Sequence, residues 1–213
     1  MDGVLCATMD LHFQALRMVC AARTLFFPEE ITSIGVGRTD RANLTYILSQ
    51  NDIPVKSSED NPLISVLLNE KENIFFGLLQ ETQLKTSPGV DAWLKVLESK
   101  EIPCAVASSS TMSTIVLIAE RLGITRYFSV FISGARFLYG KPNPEIFVRA
   151  AGALKAVPDH CLVIEDAPLG VEAALGAGMK CLALGTTVPL EMLSRADIVV
   201  PGLDSYPLEL AFG

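Results

Sequence analysis

Downstream of Ser87 the chain alternates short, largely apolar runs with helix-patterned stretches, and this alternation constrains the fold more than any other feature. The runs IPCAVA, FSVFIS, CLVIE, KCLAL and ADIVV are strand-length, and residues on both of their faces are apolar. PGVDAWLKVLESK precedes them and STIVLIAERLG, PEIFVRAAGALK and PLGVEAALGAG lie between them, with apolar residues recurring near i, i+3 and i+4. Strands buried on both faces and separated by helices imply a parallel sheet covered by helices, a three-layer Rossmann-like α/β fold. From about Asp10 to Gln83 the pattern is helical throughout, in LHFQALRMVCAARTLF, RANLTYILSQ and PLISVLLNEKENIFFGLLQE. Pro28, Pro54 and Pro62 punctuate that segment. The expected organisation is an α/β core of residues 1–9 and 84–213, with residues 10–83 inserted as an all-helical cap.

Charge and cysteine usage narrow the function classes. Lys and Arg total 17 against 24 Asp and Glu, a net charge of −7, and no basic run occurs. A nucleic-acid partner is therefore not expected. Every apolar stretch is cut by charge before the roughly 18 residues a membrane span needs, so no membrane partner is expected. The five cysteines are widely spaced, with no CxxC or Cys/His cluster. Structural zinc is not expected, and reduced thiols in a cytoplasmic protein fit this usage. The first residues carry no signal-peptide pattern.

In open parallel sheets, ligands bind beyond the C-terminal ends of the strands. Three of those ends carry reactive groups. Ser108, Ser109 and Ser110 follow IPCAVA, where a hydroxyl suits either a phosphate oxygen or a helix N-cap. Lys141 follows FSVFIS, between Gly140 and Pro142, and reads as a phosphate anchor or as a solvated loop lysine. Glu165 and Asp166 close CLVI. Such an acidic pair suits either a hard cation such as Mg²⁺ or the capping of the helix that begins near Pro168. Together they place a hydroxyl, a lysine and a divalent-metal site on one rim. The chain itself opens with Asp2-Gly3.

These motifs resemble the haloacid dehalogenase superfamily, in its β-phosphoglucomutase-like and phosphoglycolate phosphatase-like branch. MDGVL is similar to the tail of that family's first motif, DxDGV. VASSS is similar to the second, GKPNPEIF to the third, and VIEDAPLGVEAALGAGM to the fourth. The resemblance implies a Mg²⁺-dependent phosphatase of a small phosphorylated metabolite, working through an aspartyl-phosphate. It makes Asp2 the general acid/base and a metal ligand, with Glu165 and Asp166 completing the metal site. It makes Ser108, Ser109 and Lys141 the phosphate-binding set. It places Arg38, in GRTDRANL, on the cap loop facing substrate, and His12 either at the cap hinge or on a helix surface.

The family's nucleophilic Asp stands two residues before the position of Asp2, a position preceding Met1. The expectation is that the first, central strand and the nucleophile are missing, and that the chain as given is inactive. Asp10 stands too far along, at the start of the cap, to replace it. The alternatives are a sugar phosphomutase of the β-phosphoglucomutase type and a catalytically dead phosphate-binding protein. Val36, where the mutases tend to place a lysine, leans toward hydrolysis.

Overall fold

The computed structural model describes residues 1–54 and 61–207. Its helical segment comprises α1 (Met9–Ala22), α2 (Ile31–Ile34), α3 (Asp40–Ser49) and α4 (Pro62–Glu81). The N-terminus of α4 follows from sequence: Pro62 tolerates the first turn, and the Asn61 side chain accepts from the amides of Leu63 and Ile64. α1 and α4 pack together through apolar stripes, Leu16 and Val19 on one and Ile64, Leu67, Phe75 and Leu79 on the other.

The second part alternates as expected: α5 (Val90–Ser99), β1 (Ala105–Ser108), α6 (Met112–Arg121), β2 (Val130–Ser133), α7 (Glu145–Leu154), β3 (Leu162–Glu165), α8 (Pro168–Gly176), β4 (Lys180–Leu184) and β5 (Ile198–Val200). All pairings are parallel. β1 begins at Ala105, three residues later than IPCAVA suggests, because Pro103 has no N–H to give to a ladder. Alternate residues of β4 show the layering. Cys181 and Ala183 join a cluster with Ile146, Phe147, Val171 and Ala174 of α7 and α8, whereas Leu182 and Leu184 join Val90, Trp93, Leu94 and Ala119 of α5 and α6. Period-two alternation thus sends one strand into two cores, one on each face of the sheet.

The strands form two ladders, β1-β2 and β3-β4-β5, and no pairing joins β1 to β3 among the described residues. The first cluster also runs from Phe13, Leu16, Leu44 and Ile47 of the helical segment into α7 and α8, so apolar packing crosses from one part to the other. Among the described residues no helix is long and apolar enough to cross a membrane, and all five cysteines are free thiols.

Candidate active site

One cavity is lined by all eight residues singled out from sequence: Asp2, His12, Arg38, Ser108, Ser109, Lys141, Glu165 and Asp166. They arrive on several structural supports, with Ser108–Ser109 at the end of β1 and Glu165–Asp166 at the end of β3. Ser108 is the last residue of β1, buried, and its Oγ accepts from the Ser110 amide at 3.2 Å. It does not cap α6. Thr111 does, accepting from the Thr114 amide at 3.3 Å, which leaves the serine row free for the cavity. Ser109 Oγ donates to the Gly37 carbonyl at 2.9 Å, tying the rim to the helical segment.

Lys141 is no solvated loop residue. Its ammonium is ion-paired with Glu165, and the two side chains are 7% and 6% exposed. Glu165 lies against the first turn of α8, where a Cβ on Gly170 would stand 2.2 Å from the carboxyl carbon. Glycine there is what lets the carboxylate lie flat on the helix. The Asp166 amide donates to Glu165 Oε2 at 3.2 Å. Neither acid caps α8, whose N-cap is Ala167.

Asp166 accepts from the Thr187 hydroxyl and faces the Asp2-Gly3 turn. Gly3 has φ +70, and a Cβ there would lie 1.9 Å from Asp166 Oδ2. Both the left-handed conformation and the contact require glycine. Burial, and after it the Glu165 charge, pushes the Asp166 carboxyl up to about 6. A carboxyl whose folded pKa exceeds its unfolded value destabilises the fold once ionised. That cost is absent below about pH 4, grows up to about pH 6 and persists above it. Asp166→Asn is therefore expected to raise the melting temperature of the metal-free protein at neutral pH, by on the order of 1–3 kcal/mol of stability. A lower melting temperature in that variant would mean that partners already satisfy the ionised carboxylate.

Asp2 accepts from Thr8 Oγ1 at 2.5 Å and from Ser110 Oγ at 3.3 Å, and His12 Nε2 lies 3.3 Å from its Oδ1. Burial opposes ionisation of Asp2, but His12, the N-terminal ammonium and Thr8 outweigh it and hold the carboxyl well below the usual carboxylate range. His12 is buried rather than on a helix surface, stacked on Phe75 with ring centroids 4.0 Å apart. The Nζ of Lys71 lies 2.6 Å from His12 Nδ1 and 2.7 Å from Asp40 Oδ2. An ammonium only donates, so Nδ1 accepts and the ring proton sits on Nε2. That Nε2 is buried, faces Asp2 Oδ1 at 3.3 Å and makes no hydrogen bond among the described residues.

No group of three or more His, Cys, Asp or Glu side chains converges as a metal cluster among the described residues. Glu165 is drawn to Lys141, and Asp2 to Thr8 and His12. The hard-oxygen donor facing the Asp2-Gly3 turn is Asp166, whose ionised form is disfavoured by burial and by the neighbouring Glu165 charge. That chemistry fits Mg²⁺. Sequence reasoning missed Lys71 and Asp40, and it did not foresee that Ser110 donates to Asp2. Lys71 had left a signal, because it interrupts the buried α4 stripe Ile64, Leu67, Lys71, Phe75, Leu79. A lysine at a core position is costly to bury unless paired.

Fold and site together define a class: parallel α/β proteins whose C-terminal strand ends carry a hydroxyl, a lysine and an acidic pair beneath a helical segment. The chain belongs to the haloacid dehalogenase-like hydrolases, whose family model matches residues 1–178. It is 33% identical over 180 residues to the phosphorylated carbohydrates phosphatase of Thermotoga maritima, covering 84% of this chain and 80% of that protein. It is 29% identical over 212 residues to the β-phosphoglucomutase of Bacillus subtilis, covering 99% of this chain and 90% of that one. The crystal structure of β-phosphoglucomutase from Clostridium difficile superposes with a TM-score of 0.88 at 25% identity, covering 99% of this chain and 92% of that chain.

Proposed function

We propose that the protein is a Mg²⁺-dependent phosphohydrolase acting on a small phosphorylated metabolite in the cytoplasm, with residues 10–83 as a cap over the site. The observation that carries this reading is the convergence of Asp2, Ser108, Lys141, Glu165 and Asp166 on one cavity from separate segments. Ser108 and Lys141 hold the phosphate, with Ser109 beside them, and Arg38 and His12 face the rest of the substrate. Lys141 exchanges part of its pairing with Glu165 for phosphate oxygens. Mg²⁺, held by Asp166 with the Asp2 backbone carbonyl and supported by Glu165, would reduce the charge on the phosphate and orient it.

In the aspartyl-phosphate route a carboxylate attacks phosphorus, and Asp2 gives its proton to the leaving oxygen. Asp2 then takes a proton from the water that attacks the phosphoenzyme. The ionised form that His12 and Thr8 favour suits this second half-reaction. The four carboxylates lining the cavity are all engaged: Asp2 by Thr8, Asp40 by Lys71, Glu165 by Lys141 and Asp166 by Thr187.

The phosphate site is tested by calorimetric titration of inorganic phosphate in the presence of Mg²⁺. Ser108→Ala is expected to weaken binding about tenfold, the value of one hydrogen bond to a charged group. Unchanged affinity would remove Ser108 from the site. A phosphomutase is the second reading, favoured by similarity to β-phosphoglucomutase along 99% of the chain. A requirement for catalytic sugar bisphosphate would select it over hydrolysis.

A further inference from the structure

A fourth strand end opens on the same side of the sheet as Ser108, Lys141 and the acidic pair. β4 runs out into Gly185-Thr186-Thr187. β3 and β4 pair in parallel with Glu165 beside Ala183, so the residues just past both strands emerge side by side. The Gly185 amide donates to the Val200 carbonyl at 2.9 Å, and Val188 is buried in the apolar cluster with α7 and α8. The two threonines are held between these fixed points.

A threonine hydroxyl has one proton to donate, and the two go to different segments of the chain. Thr186 Oγ1 donates to the Gly3 carbonyl at 2.5 Å, and Thr187 Oγ1 donates to Asp166 Oδ2. A Cβ on Gly3 would meet Asp166 Oδ2 at 1.9 Å and Thr187 Oγ1 at 2.4 Å, so carboxylate, hydroxyl and turn pack directly on one another. Neither threonine is among the residues lining the cavity, so Thr187 acts on the site only through Asp166.

The other carboxylates show why such a hydroxyl is needed. Glu165 is fixed by Lys141, and Asp2 by Thr8 and Ser110. Asp166 is 6% exposed, but burial does not set the angle of its carboxylate, because rotation about the Cβ–Cγ bond is broad and roughly two-fold. The bond from Thr187 sets that angle. It engages Oδ2 and leaves Oδ1 for a cation. The donor is itself stiff, since two heavy atoms on the threonine Cβ restrict its first side-chain torsion.

We propose that Thr187 is a positioning residue of the metal site, its hydroxyl holding the Asp166 carboxylate in the orientation that binds Mg²⁺. This deepens the Mg²⁺-dependent reading given above and rests on it.

The test is titration of the full, metal-free chain with Mn²⁺ alone, a hard-oxygen substitute for Mg²⁺, with the free ion followed by electron paramagnetic resonance. Thr187→Val keeps the shape and the branched Cβ but loses the donor. It is expected to weaken Mn²⁺ binding about 10- to 100-fold, the usual cost of removing a group that orients a metal ligand. Thr187→Ser restores the hydroxyl and is expected to bind with close to native affinity. Thr186→Val loosens the Asp2-Gly3 turn but leaves Asp166 held, and is expected to cost less than Thr187→Val. All variants are compared at a temperature where circular dichroism shows them folded, and Thr187→Ala replaces Thr187→Val if the latter does not fold. Unchanged affinity in Thr187→Val would overturn the proposal while leaving the metal site standing. So would a loss in Thr187→Ser as large as that in Thr187→Val. Failure of the native chain to bind Mn²⁺, or binding that Asp166→Asn does not weaken, would overturn the metal site and this proposal with it.

Discussion

The 213-residue chain is expected to release no phosphate from a generic aryl phosphate above background, with or without Mg²⁺. Every carboxylate lining its cavity is already held by a cation or a hydroxyl, so none stands free to attack phosphorus. Appending an apolar strand that ends in Asp directly before Met1 is expected to bring turnover up by on the order of 10³-fold or more. Loss of a nucleophile from a site acting as a unit costs up to about 10⁶-fold, which leaves room for imperfect restoration. In the extended protein Asp2→Asn is then expected to cut turnover by about 10²–10⁴-fold, the usual worth of a general acid/base. The same extension is expected to raise the melting temperature, because ladder groups along β1 and β3 gain partners that each contribute about 1 kcal/mol. Robust Mg²⁺-dependent turnover by the unextended chain would mean that one of the four engaged carboxylates is the nucleophile.

Lys141→Ala is expected to have the largest effect on stability of any single substitution in the site. It removes the counter-ion of Glu165 and leaves a carboxylate only 6% exposed without a cation. Breaking one side of a buried ion pair costs about 3–5 kcal/mol. Removing both partners, in Lys141→Ala/Glu165→Ala, is expected to cost less than Lys141→Ala alone, because no uncompensated charge remains. Denaturant midpoints for the two single variants and the double variant measure the coupling. A Lys141→Ala cost below about 1 kcal/mol would show that the pair is solvated and contributes as a surface bridge does. Phosphate affinity should fall in Lys141→Ala as well, and at a temperature where the variant is folded the two effects separate.

The alternation of apolar runs and helices after Ser87 was sufficient to read the parallel α/β arrangement, because a strand buried on both faces leaves few other architectures open. The rim residues were legible for the same reason. Ser108, Lys141 and the Glu165-Asp166 pair each stand at or just beyond a strand end, and strand ends are where such sheets bind ligands. What each does with its neighbours was not legible from local pattern. The Lys141–Glu165 pair joins residues 24 apart, and Ser110 and Asp2 lie 108 apart. The Lys71 link to His12 and Asp40 spans 59 and 31 positions. Spacing rules reach only a turn or two along a helix or strand, so such contacts have no local signature.

Sequence alone determined the order of the elements, the positions of the strand ends and the chemical types gathered there, because side-chain periodicity and backbone hydrogen bonding act locally. Tertiary structure decided which charges neutralise one another. It paired Glu165 with Lys141, and it buried His12 between Phe75, Lys71 and Asp2. Charge pairing acts through space and depends on burial, so only the packed chain specifies it.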